Sequence, residues 1–416
     1  MSFSCSSVPS LWKSAAIHQV PKVPKPESPS DLRPISVLPV LSRLTERLLV
    51  RKYIQPALTH VPAPLKIDNQ FAYRPTSSTT AALVAMFAKV TELLKTNDYV
   101  FCLTFDYSKA FDTLSHISVA TKLAKLDLPD FAYNWVIDYL QDRSHSSNID
   151  GKCSSMTSIN SSVVQGSVLE PNLFNINAAE LVTFSALNFY FKYADDANLL
   201  VPSSNIHTLA DELTHHECWA KSCNLKFNMT KTAEIVFRSR PRLPEPPPNT
   251  GVQRVSSVKI LGVTVDSKLS FSAHVNDLVS TCSRSLFALR VMKNHGLHAE
   301  AIQKVFKATI LAKLLYAGPA WSGFLSKTLL DQLEAFLHRA VRFGYYPTTD
   351  PNVCDLLTRA DDRLFNKIES NPNHVLHYLL PPTKVTKYSL RNRGHDRCLP
   401  EKDNRNFVNR VLCNNI

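Results

Sequence analysis

Two adjacent aspartates interrupt an apolar segment, "FYFKYADDANLLV", which runs from Phe189 to Val201. The flanking residues are rich in aromatic and branched side chains, so they predict two buried strands joined by a tight turn at Asp195 and Asp196. Neighbouring carboxylates repel each other, and a charge beside a core is costly unless something neutralises it. Two interpretations are open at this point: a surface turn, in which aspartate is common, or a metal site.

A third acid follows a second predicted strand. "YVFCLTFD" begins at Tyr99 and ends at Asp106, and its short apolar composition is typical of a buried strand. Hard divalent cations prefer oxygen ligands, and two such ions about 3.5–4 Å apart can hold the attacking and leaving oxygens of a phosphoryl transfer. We therefore favour a site for two Mg²⁺ ions, with Mn²⁺ as an alternative metal, built from Asp106, Asp195 and Asp196.

The remaining patterns predict an α+β protein whose C-terminal third is helical. Apolar periodicity predicts helices over about 38–54, 79–94, 116–126, 131–141, 206–223, 271–293, 301–315 and 328–343. Further strands are expected over 234–239 and 258–266. The proline-rich, cationic segment 21–34 excludes a helix and predicts an extended loop.

The net charge indicates the class of partner, and the cysteines indicate the cellular compartment. The net charge of +12 favours a polyanionic partner, nucleic acid first, although a merely basic surface is the plainer alternative. Nine cysteines without a C-x-x-C pair indicate a reducing, intracellular compartment. The "HHECWAKSC" segment, 215–223, contains zinc-type ligands, but it lies in a helical pattern without a second ligand pair, so zinc is disfavoured. No stretch of 18 apolar residues predicts a membrane span.

The tail from Pro381 is polar and basic. It suits either a nucleic-acid-binding arm or a solvated, frayed end, and the second is favoured. Its cations are Lys384, Lys387, Arg391, Arg393, Arg397, Lys402, Arg405 and Arg410.

"YADD" at 193–196 and "FDYSKAFDTLSH" at 105–116 resemble motifs of LINE-type, non-LTR retrotransposon reverse transcriptases. Five further blocks are similar to that family and occur in its order, so that the resemblance spans about residues 15–345. The blocks are "SDLRPISVLPVLSRLTERLL" (30–49), "NQFAYRPTSSTTAAL" (69–83), "VVQGSVLEPNLFNI" (163–176), "CNLKFNMTKTAEIVF" (223–237) and "KILGVTV" (259–265).

The resemblance implies a right-hand polymerase. Residues 1–98 would form partial fingers, 99–270 an antiparallel-sheet palm with fingers insertions, 271–345 a helical thumb and 346–416 a basic extension. The implied activity is RNA-directed DNA polymerisation, with an RNA template, a DNA primer and deoxynucleotides as partners, no membrane, and action in the nucleus.

The family's motifs imply roles for matched residues of this chain. Asp106 and Asp195 would be the principal metal ligands, supported by Asp196. Phe111 matches a steric gate against the ribose 2′-hydroxyl, although an aromatic residue there also suits a core. Lys231 matches the lysine that protonates the leaving pyrophosphate. The matched nucleotide- and template-binding residues are Lys22, Lys25, Arg33, Gln165 and Gly166. The cations expected at duplex phosphates are Arg284, Arg290, Lys293, Lys304 and Lys307.

Two departures from the family keep other interpretations open. Glu170 stands where the family has glycine, and its carboxylate would either repel phosphate or lie outward. No endonuclease domain fits before residue 15, so we expect a fragment, and a catalytically inactive nucleic-acid-binding remnant is the main alternative. An RNA-dependent RNA polymerase is disfavoured by Phe111 and by the absence of a G-D-D turn, and an intron maturase is more remote.

Overall fold

The computed structural model of the protein describes residues 2–59, 65, 67–108, 110–149, 151–159, 161–162, 164–240, 242–248, 251–384 and 395–414. The chain forms two compact units. The first comprises Met1–Tyr73, Phe105–Ala197 and His207–Thr232, and the second comprises Arg74–Thr104, Asn198–Ile206 and Ala233–Ile416.

Strands and helices alternate up to Asp266, and only helices follow among the described residues. The strands are β1 Ser14–Pro21, β2 Leu32–Val37, β3 Tyr99–Phe105, β4 Tyr107–Ser108, β5 Arg143–Ile149, β6 Lys152–Cys153, β7 Thr157–Ile159, β8 Phe189–Tyr193, β9 Asp196–Pro202, β10 Lys226–Phe227, β11 Ala233–Arg238, β12 Gln253–Arg254, β13 Ser257–Ile260 and β14 Val263–Asp266.

The helices are α1 Ser10–Lys13, α2 Val40–Leu49, α3 Gln55–Thr59, α4 Thr79–Leu93, α5 Ala110–Thr113, α6 His116–Leu123, α7 Asp130–Leu140, α8 Glu170–Ala178, α9 Leu209–Ser222, α10 Ser272–Asn294, α11 Ala299–Val305, α12 Ala312–Leu314, α13 Gly318–Trp321, α14 Lys327–Arg342, α15 Val353–Glu369 and α16 Phe407–Asn414. A π-helical turn, Val50–Ile54, joins α2 to α3, and another, Phe306–Leu311, joins α11 to α12. The helices predicted over 79–94, 271–293 and 328–343 are confirmed as α4, α10 and α14.

The proline-rich segment of the first unit is part of a β-hairpin. β1 pairs antiparallel with β2 and parallel with β5, and β2 is the edge strand of this sheet. The N–H of Lys22 donates to the Asp31 carbonyl at 2.7 Å and closes the hairpin. The predicted loop is confirmed for residues 22–28, which lie outside any strand or helix. It was wrong for 21 and 32–34, which belong to β1 and β2, and for Pro29–Asp31, which form a short 3-10 helix that the prolines were expected to exclude. Pro34 is tolerated within β2 because an edge strand does not need every N–H for pairing.

The second unit combines a sheet with packed helices. Its sheet has the order β12-β11-β3-β9, and β11 pairs antiparallel with β3 from Ala233–Thr104 to Arg238–Tyr99. The apolar spacing predicts Leu330, Leu333, Leu337 and Ala340 on one face of α14. α14 packs on α10 and α15 and buries the last three, whereas Leu330 is half-buried. The apolar spacing alone therefore predicts which face of α14 is buried.

The segment 258–266 is a hairpin and not the single strand predicted. β13 and β14 pair antiparallel from Ser257–Asp266 to Ile260–Val263. Leu261 and Gly262, the two residues between them, have φ values of 45° and 86°. Two consecutive positive φ values are typical of a tight hairpin turn. Because Leu261 is apolar, the sequence pattern continues across the turn and does not predict it.

The C-terminal region packs into the second unit. α16 buries Phe407, Val411 and Leu412, and the Arg410 guanidinium contacts the Asp361 carboxylate of α15 at 2.9 and 3.1 Å. The prediction of a frayed end was wrong for this helix, since its apolar face needs a partner. Lys387, Arg391 and Arg393 lie outside the described residues. Within the described part of the chain, no helix is both long and apolar enough to cross a membrane.

Candidate active site

The three predicted acids all belong to the first unit. Asp106 directly follows β3, Asp195 lies in the turn between β8 and β9, and Asp196 is the first residue of β9. Ala194, the residue before them, has φ 54° in the left-handed region, so the chain reverses within two residues. The acids therefore lie at strand ends, as the apolar-to-acid pattern predicted.

Burial and neighbouring negative charge both raise the pKa of the carboxyl groups at the turn. Burial and, to a smaller extent, repulsion by Asp106 raise the pKa of Asp195. Part of Asp196 is exposed to solvent, but protein atoms surround its carboxylate closely. This burial raises the pKa of Asp196 to about 6, and the negative charges of Asp195 and Asp106 contribute to the rise. The three carboxylates therefore influence one another, and a cation would relieve the repulsion among them.

Asp106 has two polar neighbours from the segment after α9. The Asn228 side chain donates from Nδ2 to Asp106 Oδ2 at 3.2 Å, and the Asn228 N–H donates to the Asp106 carbonyl at 2.9 Å. The Lys231 ammonium lies 3.7 Å from the same Oδ2. The structure thus places Lys231 beside Asp106. Asn228 was missed, because nothing in the sequence pairs an amide with an acid 122 residues away.

The three acids are suitable ligands for a hard cation, but in this structure they do not form a complete metal site. Among the described residues, no three His, Cys, Asp or Glu side chains are grouped closely enough to hold a metal ion. Carboxylate oxygens are nonetheless the ligands that Mg²⁺ prefers. Burial, more than repulsion between the acids, raises the pKa of Asp195 and Asp196, so a bound cation would favour the ionised form of both.

Gln165 and Gly166 form a loop against the β1–β2 hairpin of the first unit. The Ser36 N–H of β2 donates to the Gln165 carbonyl at 2.8 Å, and Gln165 Nε2 donates to Asp112 Oδ1 at 2.6 Å. Gly166 has φ 100°, and a Cβ at this position would lie 2.8 Å from the Ser36 carbonyl oxygen. Only glycine meets both requirements, which explains its place in the motif.

Glu170 points back into its own loop and does not lie outward. Its Oε2 accepts from the Gly166 N–H at 2.7 Å, and its own N–H donates to Ser167 Oγ at 3.0 Å. Burial raises the pKa of Glu170 to about 7, partly offset by the Gly166 hydrogen bond and reinforced by Asp112. The unusual glutamate therefore closes the loop that carries Gln165 and Gly166.

Phe111 lies near the start of helix α5 in the first unit and packs on Phe174 of α8, with ring centroids 4.6 Å apart. Phe111 is half-buried. Lys22, Lys25 and Arg33 are exposed on the β1–β2 hairpin. Their exposure is compatible with contacts to an anion.

The predicted duplex-binding cations lie in the second unit. Arg284, Arg290 and Lys293 are exposed on α10, whereas Lys304 and Lys307 lie on α11 and the turn after it. Lys304 pairs with Glu300 at 2.7 Å, and Lys307 pairs with Asp350 at 2.6 Å. The last two cations are therefore partly neutralised by the protein itself.

A buried histidine forms hydrogen bonds with the two strands next to the acids, β4 after Asp106 and β8 before Asp195. His216 of α9 is fully buried; its Nε2 bonds with the Tyr107 hydroxyl of β4, and its Nδ1 bonds with the Tyr190 hydroxyl of β8 at 2.8 Å. Phe105 stacks on the imidazole with 3.9 Å between centroids. In the sequence this histidine stands out only as a disfavoured zinc ligand, and no pattern there predicts its structural role.

Comparisons with known proteins agree with these features. The family model described as "Reverse transcriptase (RNA-dependent DNA polymerase)" matches residues 23–265. The chain is 28% identical to a probable RNA-directed DNA polymerase from transposon BS of Drosophila melanogaster, over 80% of this chain and 38% of that protein. It is 26% identical to the RNA-directed DNA polymerase from mobile element jockey of the same species, over 93% of this chain and 46% of that protein. It thus spans less than half the length of these relatives.

Among solved structures, an apo telomerase from Candida tropicalis is similar with a TM-score of 0.47 and 13% identity, over 90% of this chain and 70% of that one. This likeness is too distant to bear on function. The family match covers more than half of the chain and includes all three acids. The chain therefore belongs to the reverse transcriptase (RNA-dependent DNA polymerase) family, and its fold is of the α+β class.

Proposed function

We propose that the chain is the polymerase core of a non-LTR retrotransposon and extends a DNA primer by copying an RNA template. The observation that carries the proposal is the placement of Asp106 at the end of β3 and of Asp195 and Asp196 where β8 turns into β9, with Lys231 Nζ 3.7 Å from Asp106. A primer 3′-hydroxyl would attack the α-phosphate of a deoxynucleotide, and pyrophosphate would leave. Positioning and electrostatics supply most of the acceleration of such a reaction.

Asp106 and Asp195 would be the principal ligands of two Mg²⁺ ions, with Asp196 in support and Mn²⁺ as an alternative metal. When bound, the ions would activate the hydroxyl and stabilise negative charge on the leaving group. Asn228 would hold the Asp106 carboxylate in place, because its amide already donates to Oδ2. Lys231 would donate a proton to the leaving pyrophosphate.

The nucleotide would be recognised by the first unit. Lys22, Lys25 and Arg33 would contact the triphosphate as charged donors. The Phe111 ring would exclude a ribose 2′-hydroxyl, while Gln165 and Gly166 would support the nucleotide and the template base. These assignments rest on the motif match and on the exposure of the three cations.

The domain assignment is part of the proposal. Residues 1–98 would serve as partial fingers, 99–270 as the palm, 271–345 as the thumb and 346–416 as a basic extension. Arg284, Arg290, Lys293, Lys304 and Lys307 would contact duplex phosphates. The site of action would be the nucleus, where target DNA lies.

The test is primer extension on poly(rA)/oligo(dT) with labelled dTTP and Mg²⁺, beside the Asp195→Ala variant. Extension by the wild-type protein that the variant lacks would support a working metal site. No extension by the wild-type protein, with the duplex still bound, would contradict the proposal.

The second candidate function is nucleic-acid binding without catalysis. It is favoured by one observation, the Glu170 carboxylate held on the Gly166 N–H at 2.7 Å, within the nucleotide-binding motif. Under this alternative, the wild-type protein binds the duplex without extending the primer. Gain of extension in Glu170→Gly would then identify this glutamate as the cause.

A further inference from the structure

Gln70 lies beside the strand that leads into the turn. It belongs to the "NQFAYRP" segment, and its side chain is 0% exposed. The Phe71 N–H donates to the Lys192 carbonyl and the Lys192 N–H donates to the Asn69 carbonyl, both at 2.8 Å, so residues 69–71 run parallel to β8. Phe71 also stacks on Phe191 with 6.2 Å between centroids. This short pairing fixes the backbone from which the Gln70 side chain extends.

The Gln70 carboxamide contacts both main-chain polar groups of Ala194. Its Oε1 accepts from the Ala194 N–H at 3.0 Å, and its Nε2 donates to the Ala194 carbonyl at 3.3 Å. Oε1 also accepts from the Ala72 N–H at 3.1 Å. Two N–H donors facing one oxygen determine which way the amide is oriented.

Ala194 needs such a restraint. Its φ of 54° lies in the left-handed region, which is unfavourable for a residue with a Cβ. The next two residues carry the carboxylates, and these repel each other. Without the restraint, Ala194 would relax toward negative φ, and the direction in which the following side chains leave the turn would change.

We propose that Gln70 is a positioning residue that fixes the turn at Ala194 and thereby aims Asp195 and Asp196 at a common metal. The inference rests on the proposed function, because it takes these acids as metal ligands. A neutral carboxamide suits the position for two reasons. It offers a donor and an acceptor to one residue's main chain, and it adds no negative charge beside the acids.

The test compares Gln70→Leu with wild-type protein in the full chain. Leucine keeps most of the buried volume and removes these three hydrogen bonds. Because residues that orient metal ligands typically contribute about 10–100-fold to metal affinity, we expect Mn²⁺ binding, followed by electron paramagnetic resonance, to weaken by about tenfold or more. Primer–template affinity should stay within about twofold, since Gln70 is not among the residues proposed to contact duplex phosphates.

Asn188→Leu is the matched control. Asn188 is a buried amide of the same unit, and its Nδ2 donates to Thr208 Oγ1 at 2.9 Å and Glu212 Oε1 at 2.8 Å. This variant should lose stability comparably and bind Mn²⁺ as the wild-type protein does. A Gln70→Glu variant keeps the acceptor but replaces the donor with a charge, so it should not restore the turn.

Hydrogen exchange provides a second readout that needs neither metal nor activity. The amide of Ala194 should exchange at least about tenfold faster in Gln70→Leu than in wild-type protein, because it loses its acceptor. Unchanged exchange there, or unchanged Mn²⁺ affinity, would overturn the inference. Wild-type protein that binds Mn²⁺ but extends no primer would contradict the proposed function and leave the role of Gln70 to be decided by these two comparisons. Wild-type protein that binds no Mn²⁺ would overturn both.

Discussion

Glu170 links the protonation state of one side chain to the stability of the fold. The unfolded chain releases this proton near the ordinary value of 4.5, whereas the folded protein holds it up to a pKa of about 7. Between these values the folded state binds more protons than the unfolded state. The contribution of Glu170 to the free energy of unfolding therefore falls as pH rises from 4.5 to about 7 and is constant above.

Glu170→Gln should remove this decline. Glutamine keeps an oxygen for the Gly166 N–H but carries no charge to bury. We expect the variant to be more stable than wild-type protein by about 1 kcal/mol at about pH 8, with the difference vanishing near pH 4.5. Urea unfolding at the two pH values measures it, and a difference independent of pH would contradict the assignment.

Phe111→Val should relax discrimination between sugars if the ring acts as the gate. Removing its outer edge opens space for a 2′-hydroxyl, and we expect ribonucleotide incorporation relative to deoxynucleotide to rise at least about tenfold. Phe174→Val is the control, since it removes the same ring pair but leaves Phe111 in place. The measurement is the ratio of kcat/KM for UTP to kcat/KM for dTTP in wild-type protein and in both variants. An equal rise in both variants would indicate loosened packing only.

The acids could be predicted because each lies at the end of a strand that apolar patterning reveals. Their supporting residues could not. Asn228 and Gln70 act on Asp106 and Ala194 through hydrogen bonds that span 122 and 124 residues of chain. Such hydrogen bonds depend on tertiary packing, which leaves no periodic signal in a single sequence.

At the scale of elements, His216 ties helix α9 to β4 and β8. Burial lowers the pKa of His216 to about 3, and the nearby His215 and Lys192 add to this effect. A neutral imidazole has one N–H donor and one acceptor, so one tyrosine hydroxyl donates to the ring and the other accepts from it. Both hydrogen bonds are therefore satisfied by the neutral imidazole, the form that burial favours.

His216→Leu should destabilise the first unit by about 2–4 kcal/mol at about pH 8, because two buried tyrosine hydroxyls lose their partner. It should also change the pH dependence. The unfolded chain binds a proton below about 6.5, whereas folded His216 does not until about pH 3, so this histidine makes stability fall as pH drops from 6.5 toward 3. Urea unfolding from about pH 8 to about pH 5 should show that the variant lacks this decline. An unchanged profile would contradict a neutral His216.

Long periodic elements could be predicted more reliably than short paired ones. α4, α10 and α14 have enough turns for apolar spacing to identify them. The β1–β2 hairpin was missed because prolines and cations dominate its composition, and only pairing with β5 makes it part of a sheet. α16 was missed because eight residues in a basic tail carry little periodic signal.

At the scale of the whole molecule, the net charge of +12 favours binding to polyanions. The structure separates the candidate duplex-binding cations into two classes. Lys304 and Lys307 are paired with acids, whereas Arg284, Arg290 and Lys293 form no ion pair with an acid in the part of the chain that the structure describes. The second class should contribute more to affinity.

Replacing Arg284, Arg290 and Lys293 together with glutamine should therefore weaken duplex binding and its salt dependence. Each phosphate that the variant no longer neutralises should reduce the slope of log affinity against log salt by about 0.7–0.9. Fluorescence anisotropy with an RNA–DNA duplex, at KCl concentrations from about 50 to about 300 mM, measures the slope. The Lys304→Gln, Lys307→Gln double variant should change it less, and an equal effect per residue would contradict this ranking.

The glycine at 166 also has a use in surveying related genomic copies. Its φ of 100° and the Ser36 oxygen 2.8 Å from a would-be Cβ leave no room for another residue unless the β2 backbone shifts. Any copy with a larger residue at the equivalent position has lost this loop geometry, even where its aspartates are intact. A single codon could thus sort decayed copies from those worth expressing, before any protein is made.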